Sequence, residues 1–249
     1  MPARTASPSR ARNPAVGKSA TTAKPPKTAR SQLRPAWPPD RERVKAILRL
    51  LDKSYPAADC ELHRENPFQL LCATILSAQC TDQRVNMVTP ALFARFPTPA
   101  AMGQAEQAEL ENIVRSTGFF RNKAKNLIGA SRTLVERWGG EVPRTMDELL
   151  QLPGVARKTA NVVLGTAYDI AVGVVVDTHV MRLSQRLALS KEATPERIEA
   201  DLTQVVPRER WILFSHQLIW HGRRLCFARK PACDTCPLAP HCPSAFSAG

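Results

Sequence analysis

"LPGVARKTANVV", residues 152–163, is a Pro-Gly turn that runs straight into a helix. Free backbone N–H groups around Gly154, Val155 and Ala156 would point outward from the helix N-terminus, an arrangement suited to a phosphate. A plain αα-hairpin is the commoner use of such a turn. Helical spacing puts Ala160, Val163, Leu164 and Ala167 on the apolar face and Lys158 nearly opposite, beside Val162 and Gly165. Lys158 thus falls in the first turn, where the helix dipole disfavours a cation by about 0.3–1 kcal/mol. Solvation on an open surface is the usual fate of a lysine. The small and apolar residues sharing its face suit a cleft wall instead, and a position that penalises charge suits an amine nucleophile, which must be neutral.

Nineteen residues on, Asp177 ends the apolar run Val174-Val175-Val176 and precedes a helical stretch marked by Val180, Leu183 and Leu187. The bland role of Asp177 is helix N-cap. Capping leaves one carboxylate oxygen for other work, so the residue can also face a cleft.

Working outward, the apolar period is helical from Asp40 almost to the end. Asp40 precedes a stripe of Val44, Ile47, Leu48 and Leu51, and Asn66-Pro67 precedes Phe68, Leu71, Cys72, Ile75 and Leu76. Asp82 opens a third helix bent at Pro90. Thr98-Pro99 starts a short turn, and Leu110, Ile113 and Val114 mark a helix that stops at Gly118. Residues 122–138 form another, ended by Gly139-Gly140, and Thr145 caps a short helix into Leu152. Helices are expected at about 157–167, 178–189, 195–206 and 209–221, and only Ile170–Val176 reads as extended. The fold class is all-α.

The chain has 249 residues and a formal net charge of +13, unevenly placed. Residues 1–39 carry eight Lys/Arg, no acid and eight prolines, and read as a disordered basic tail. The excess favours a polyanion, nucleic acid ahead of an anionic membrane. An Arg- and Ser-rich start resembles an organelle transit peptide, but its prolines would break the amphipathic helix such peptides form. With no secretory signal and no apolar run of spanning length, an intracellular protein is expected, in the bacterial cytoplasm or nucleoid rather than an organelle.

Cys226, Cys233, Cys236 and Cys242 fall within seventeen residues as C-x6-C-x2-C-x5-C, among prolines and few apolar side chains. Such a segment needs a staple. Disulfides are disfavoured inside cells, which leaves a metal centre: a cubane iron–sulfur cluster or zinc. Zinc sites usually pair two close C-x2-C turns, and only one is present, so the spacing leans toward the cluster. Arg229 and Lys230 lie between the first two ligands, either as solvated surface or as phosphate contacts on a loop held rigid. Cys72 falls on an apolar stripe and reads as core.

Together "LPGVARKTANVV", "VVDTHV" (175–180), "NPFQLLCATILSAQCTD" (66–82) and the cysteine tail resemble the endonuclease III family of the helix-hairpin-helix superfamily. The likeness spans nearly all of residues 40–243 with the motifs in the family's order. It implies a six-helix domain at 60–171 holding the hairpin and a cluster domain made of 40–59 and 172–249. Double-stranded damaged DNA would lie across the cleft between them, bound by a monomer carrying a [4Fe–4S] cluster. It also implies a bifunctional DNA glycosylase that removes oxidised pyrimidines and cuts the strand by β-elimination. By position Lys158 is the nucleophile, Asp177 the catalytic acid residue, and Gln79 fills the gap left by a flipped nucleotide. Two departures stand out. Ala156 replaces a usual second glycine, and Phe119 replaces the leucine of a Leu-aromatic pair after Gly118, so the wedge is aromatic.

A tight Lys158–Asp177 ion pair would keep the lysine charged, so the two are expected to share a pocket without lasting contact. Desolvation by bound DNA and a nearby cation such as Arg157 would help keep the amine neutral. The rivals are a monofunctional adenine glycosylase, whose kind lacks this lysine, and a noncatalytic DNA-binding module with a structural metal.

Overall fold

The structure is a computed structural model that describes residues 37–247; the expected disordered tail lies outside the described residues up to residue 36. Eleven α-helices and four short 3-10 turns make up the described residues, and no strand occurs among them. The helices are α1 (Arg41–Ser54), α2 (Pro67–Leu76), α3 (Asp82–Arg95), α4 (Pro99–Gly103), α5 (Gln107–Val114) and α6 (Phe120–Trp138). They continue with α7 (Met146–Leu149), α8 (Arg157–Tyr168), α9 (Thr178–Arg186), α10 (Pro195–Val205) and α11 (Trp211–Arg224).

Local chemistry sets most of the starts and stops. Asp40 caps α1 through the Arg43 amide (2.8 Å), and Asn66 caps α2 through the Gln69 amide (2.9 Å), with Pro67 in its first turn. Thr81 rather than Asp82 caps α3, which carries Pro90 inside it. Gly139, in the left-handed region, closes α6. The helix after Thr145 stops at Leu149, earlier than the expected Leu152, and α9 ends at Arg186 rather than 189. Ile170–Val176 is an unpaired connection between α8 and α9.

Two hydrophobic cores form. One gathers buried residues between Leu62 and Leu164 from α2 to α8; the other joins α1 to residues between Val174 and Leu238, chiefly from α9, α10 and α11. In the first, α2 is buried on every side from Leu70 to Leu76 rather than along one stripe, because it is the central helix against which α3, α6 and α8 pack. Cys72 is core, 2% exposed. In the second, α11 packs on α9 and α1.

Candidate active site

The turn of residues 150–156 delivers the chain into α8. Gly154 takes φ +78°, and a Cβ there would meet the Asn126 side chain at 2.8 Å, so both backbone and space require glycine. Ala156 is extended (φ −98°, ψ 171°) and N-caps α8 without a side-chain hydrogen bond. Alanine therefore fits where the family usually has glycine, because no left-handed conformation is needed there. Val155 is buried and anchors the turn in the first core.

Lys158, one residue into α8, is exposed and forms part of the wall of a cleft of about 550 Å³. Val162 shares that wall. Gly165, expected on the same side, is buried against Ile212 of α11 and does not line the cleft. Seven residues bring the helix back to within about 20° of the Lys158 direction, but Gly165 lies two turns farther along it, where Ile212 of α11 covers that face.

Asp177 comes from the other side, as N-cap of α9. Its Oδ1 accepts from the His179 and Val180 amides, both at 2.8 Å, and Oδ2 has no hydrogen-bond partner among the described residues. The carboxylate both caps and lines the cleft. Among the described residues no ion pair joins it to Lys158. Arg157 is not a free cation beside Lys158. Its guanidinium donates to the Glu199 carboxylate of α10 at 2.9 and 3.0 Å, and that carboxylate offsets its charge. The expectation that Arg157 helps hold the amine neutral is corrected accordingly.

Residues not singled out from sequence complete the cleft: Thr74 and Ser77 from α2 and its end, His179, and His216, Trp220 and Arg223 from α11. Burial lowers the pKa of His216 and, against the pull of Asp177, that of His179, favouring neutral rings. Arg223 is tied to Glu61 and, at 2.7 Å, to Asp82, so its charge in the cleft is offset by two carboxylates. "VVDTHV" already contained His179. Nothing local marks His216 or Arg223, which reach the cleft only because α11 crosses α9.

Gln79 and Phe119 sit on exposed tips and both are left-handed, with φ 53° and 48°. Gln79 lines the cleft, and Phe119 is 68% exposed, unusual for a phenylalanine.

The four cysteines line one cavity walled by Leu183, Leu187, Leu225 and Leu238. Among the described residues no three His, Cys, Asp or Glu side chains converge closely enough to hold a single ion. Thiols that ring a space without meeting at a point fit a cluster filling it better than zinc, which draws its ligands to about 2.3 Å from one centre. Burial pushes the Cys236 thiol up and Cys242 to about 11, and the neighbouring thiols push the same way. Ligation of a cationic centre would take these thiols as thiolates and release their protons. Arg186 supplies second contacts, donating to Cys226 Sγ (3.3 Å) and to the Phe227 (2.7 Å) and Ala228 (2.9 Å) carbonyls. It thereby fixes the root of the loop that carries exposed Arg229 and left-handed Lys230.

Residues 72–208 match the HhH-GPD superfamily of base excision DNA repair proteins, and residues 226–242 match the iron–sulfur binding domain of endonuclease III. The chain is 58% identical over 205 residues to endonuclease III of Synechocystis sp., covering 82% of this chain and 94% of that protein. It also superposes on a non-covalent endonuclease III–DNA complex (TM-score 0.78, 43% identity, 82% of this chain and 95% of the other). A trapped endonuclease III–DNA covalent intermediate matches similarly (TM-score 0.78, 42% identity, the same coverage).

Proposed function

Because the chain belongs to the endonuclease III family of base-excision DNA repair proteins, we propose that Lys158 is its nucleophile and Asp177 the carboxylate that assists it. The chain is a DNA glycosylase with AP-lyase chemistry, acts on DNA, and holds an iron–sulfur cluster. The observation that carries the assignment is one cleft walled by an amine and a carboxylate, the amine without an ion-pair partner and the carboxylate with one uncommitted oxygen among the described residues.

The substrate is an oxidised pyrimidine in duplex DNA. Such rings have lost planarity, stack poorly and are cheaper to extrude. Phosphates rest on the Gly154–Ala156 turn and on Arg229 and Lys230; Gln79 and Phe119 enter the space left by the flipped nucleotide. Lys158 Nζ attacks C1′ and the base departs with its electron pair, taking up a proton, while Asp177 stabilises the positive charge developing at the sugar. Loss of the amine proton and opening of the ring give the imine, and removal of a C2′ proton expels the 3′-phosphate. With Arg157 engaged by Glu199, the helix terminus and desolvation by bound DNA favour the neutral amine. When bound, a [4Fe–4S] cluster on Cys226, Cys233, Cys236 and Cys242 holds the Arg229–Lys230 loop in shape. The domains are 60–171, which holds the hairpin, and 40–59 with 172–249, which holds the cluster. The protein works as a monomer in the bacterial cytoplasm or nucleoid.

Borohydride reduction during turnover on a thymine-glycol duplex tests this reading. Wild-type chain is expected to give a covalent protein–DNA adduct, and Lys158→Gln to bind the duplex yet give neither adduct nor cut strand. Normal cutting by the variant would remove Lys158 from the chemistry.

A further inference from the structure

Lys123, in the first turn of α6, is 4% exposed and forms no ion pair among the described residues. Its Nζ donates to two main-chain carbonyls, Leu76 and Thr117, each at 2.8 Å. Burying an ammonium is costly unless its donors are used, and here they join segments far apart in the chain. Leu76 ends α2 three residues before Gln79, and Thr117 lies two residues before Phe119. The tips beyond these anchor points are the two left-handed, exposed side chains described above. A non-glycine residue in that region stays there only when its surroundings hold it.

We propose that Lys123 is a positioning residue for base extrusion, tying the Gln79 and Phe119 tips at a fixed separation so that both enter the duplex at one lesion. The inference rests on the DNA-gap role given to Gln79 and Phe119 and deepens it. Lys123 touches no DNA. It sets the spacing of the two side chains that do: backbone hydrogen bonds hold each tip within its own segment (Cys80 N–H to Ser77 O, 3.0 Å; Lys123 N–H to Phe119 O, 3.1 Å), and the ammonium ties one segment to the other. An apolar residue of the same length would strand both carbonyls and let the tips move independently.

The test compares wild type, Lys123→Met and Lys123→Arg in the full, cluster-loaded chain on two substrates. One is a thymine-glycol duplex; the other is a single-stranded oligonucleotide with an abasic site, which needs no extrusion. Lys123→Met is expected to lose duplex kcat/KM by about 10–100-fold, the scale on which ångström misplacement acts. Its borohydride trapping on the single strand should fall far less, and Lys123→Arg, which keeps the donors, should recover most of the duplex loss. Equal losses on both substrates, or an unchanged duplex rate, overturn the proposal. If Lys123→Met does not fold, a cycle of Gln79→Ala and Phe119→Ala in the native background decides instead. Coupled losses in duplex affinity support the tie, and additive losses overturn it. Failure of wild type to trap on either substrate would defeat the glycosylase reading itself, an outcome distinct from all of these.

Discussion

The proposed function gives Asp177 two roles on one carboxylate, and its two oxygens separate them. Oδ1 closes the first turn of α9, and Oδ2 is left to the cleft. Asparagine caps about as well as aspartate but carries no charge. Asp177→Asn is therefore expected to keep thermal stability within about 1 kcal/mol while base release falls by roughly 10²-fold or more. Asp177→Ala should lose activity and also about 0.5–2 kcal/mol of stability. Melting curves beside single-turnover base release check both, and an asparagine variant of near-native rate would leave Asp177 only its cap. The cap was legible in "VVDTHV", since an aspartate between an apolar run and a helical period is a local signal; the catalytic role came with the family resemblance. The partner of Arg157 was not legible: Glu199 lies far along the chain, and adjacency to Lys158 says nothing about where the guanidinium points.

Among the elements, α8 and its turn show how far pattern reading reaches. The Pro-Gly turn, the helix start and the buried face of Ala160, Val163 and Leu164 follow from spacing and turn chemistry. Gly154 adds what spacing cannot supply, a close approach to Asn126 on α6. Gly154→Ala is expected to cost about 1–3 kcal/mol through positive φ and crowding, and to weaken binding to undamaged duplex as well. Denaturant melts and salt-dependent binding would check this, and unchanged stability would show that α6 yields freely. In α2 the pattern was read as one stripe, yet all residues from Leu70 to Leu76 are buried. A run this apolar carries no mark of which side meets solvent, so its central place depends on the helices around it.

At the scale of the molecule, the two cores meet along the cleft and are held there partly by Glu199. This carboxylate on α10 accepts from Arg157 and, at 3.1 Å, from Asn161 of α8, and a Cβ at Gly173 would collide with it. It joins the helix bearing Lys158 to the core that presents Asp177. Glu199→Ala is expected to cost about 1–3 kcal/mol, because Arg157 and Asn161 lose their acceptor, and to lower trapping more than it lowers DNA binding. A variant that melts earlier but traps at the native rate would make the link purely structural. What the sequence by itself determined is local or covalent: helical periods, caps, the four thiols, and the presence of Lys158 and Asp177 in their motifs. Only the tertiary structure decided which groups share the cleft, that Arg157 turns away to Glu199, that Gly165 packs on Ile212, and that Lys123 is buried between two loops. Periodicity and capping are written in neighbouring residues, whereas an ion pair or a buried ammonium takes its partner from wherever packing brings the chain back.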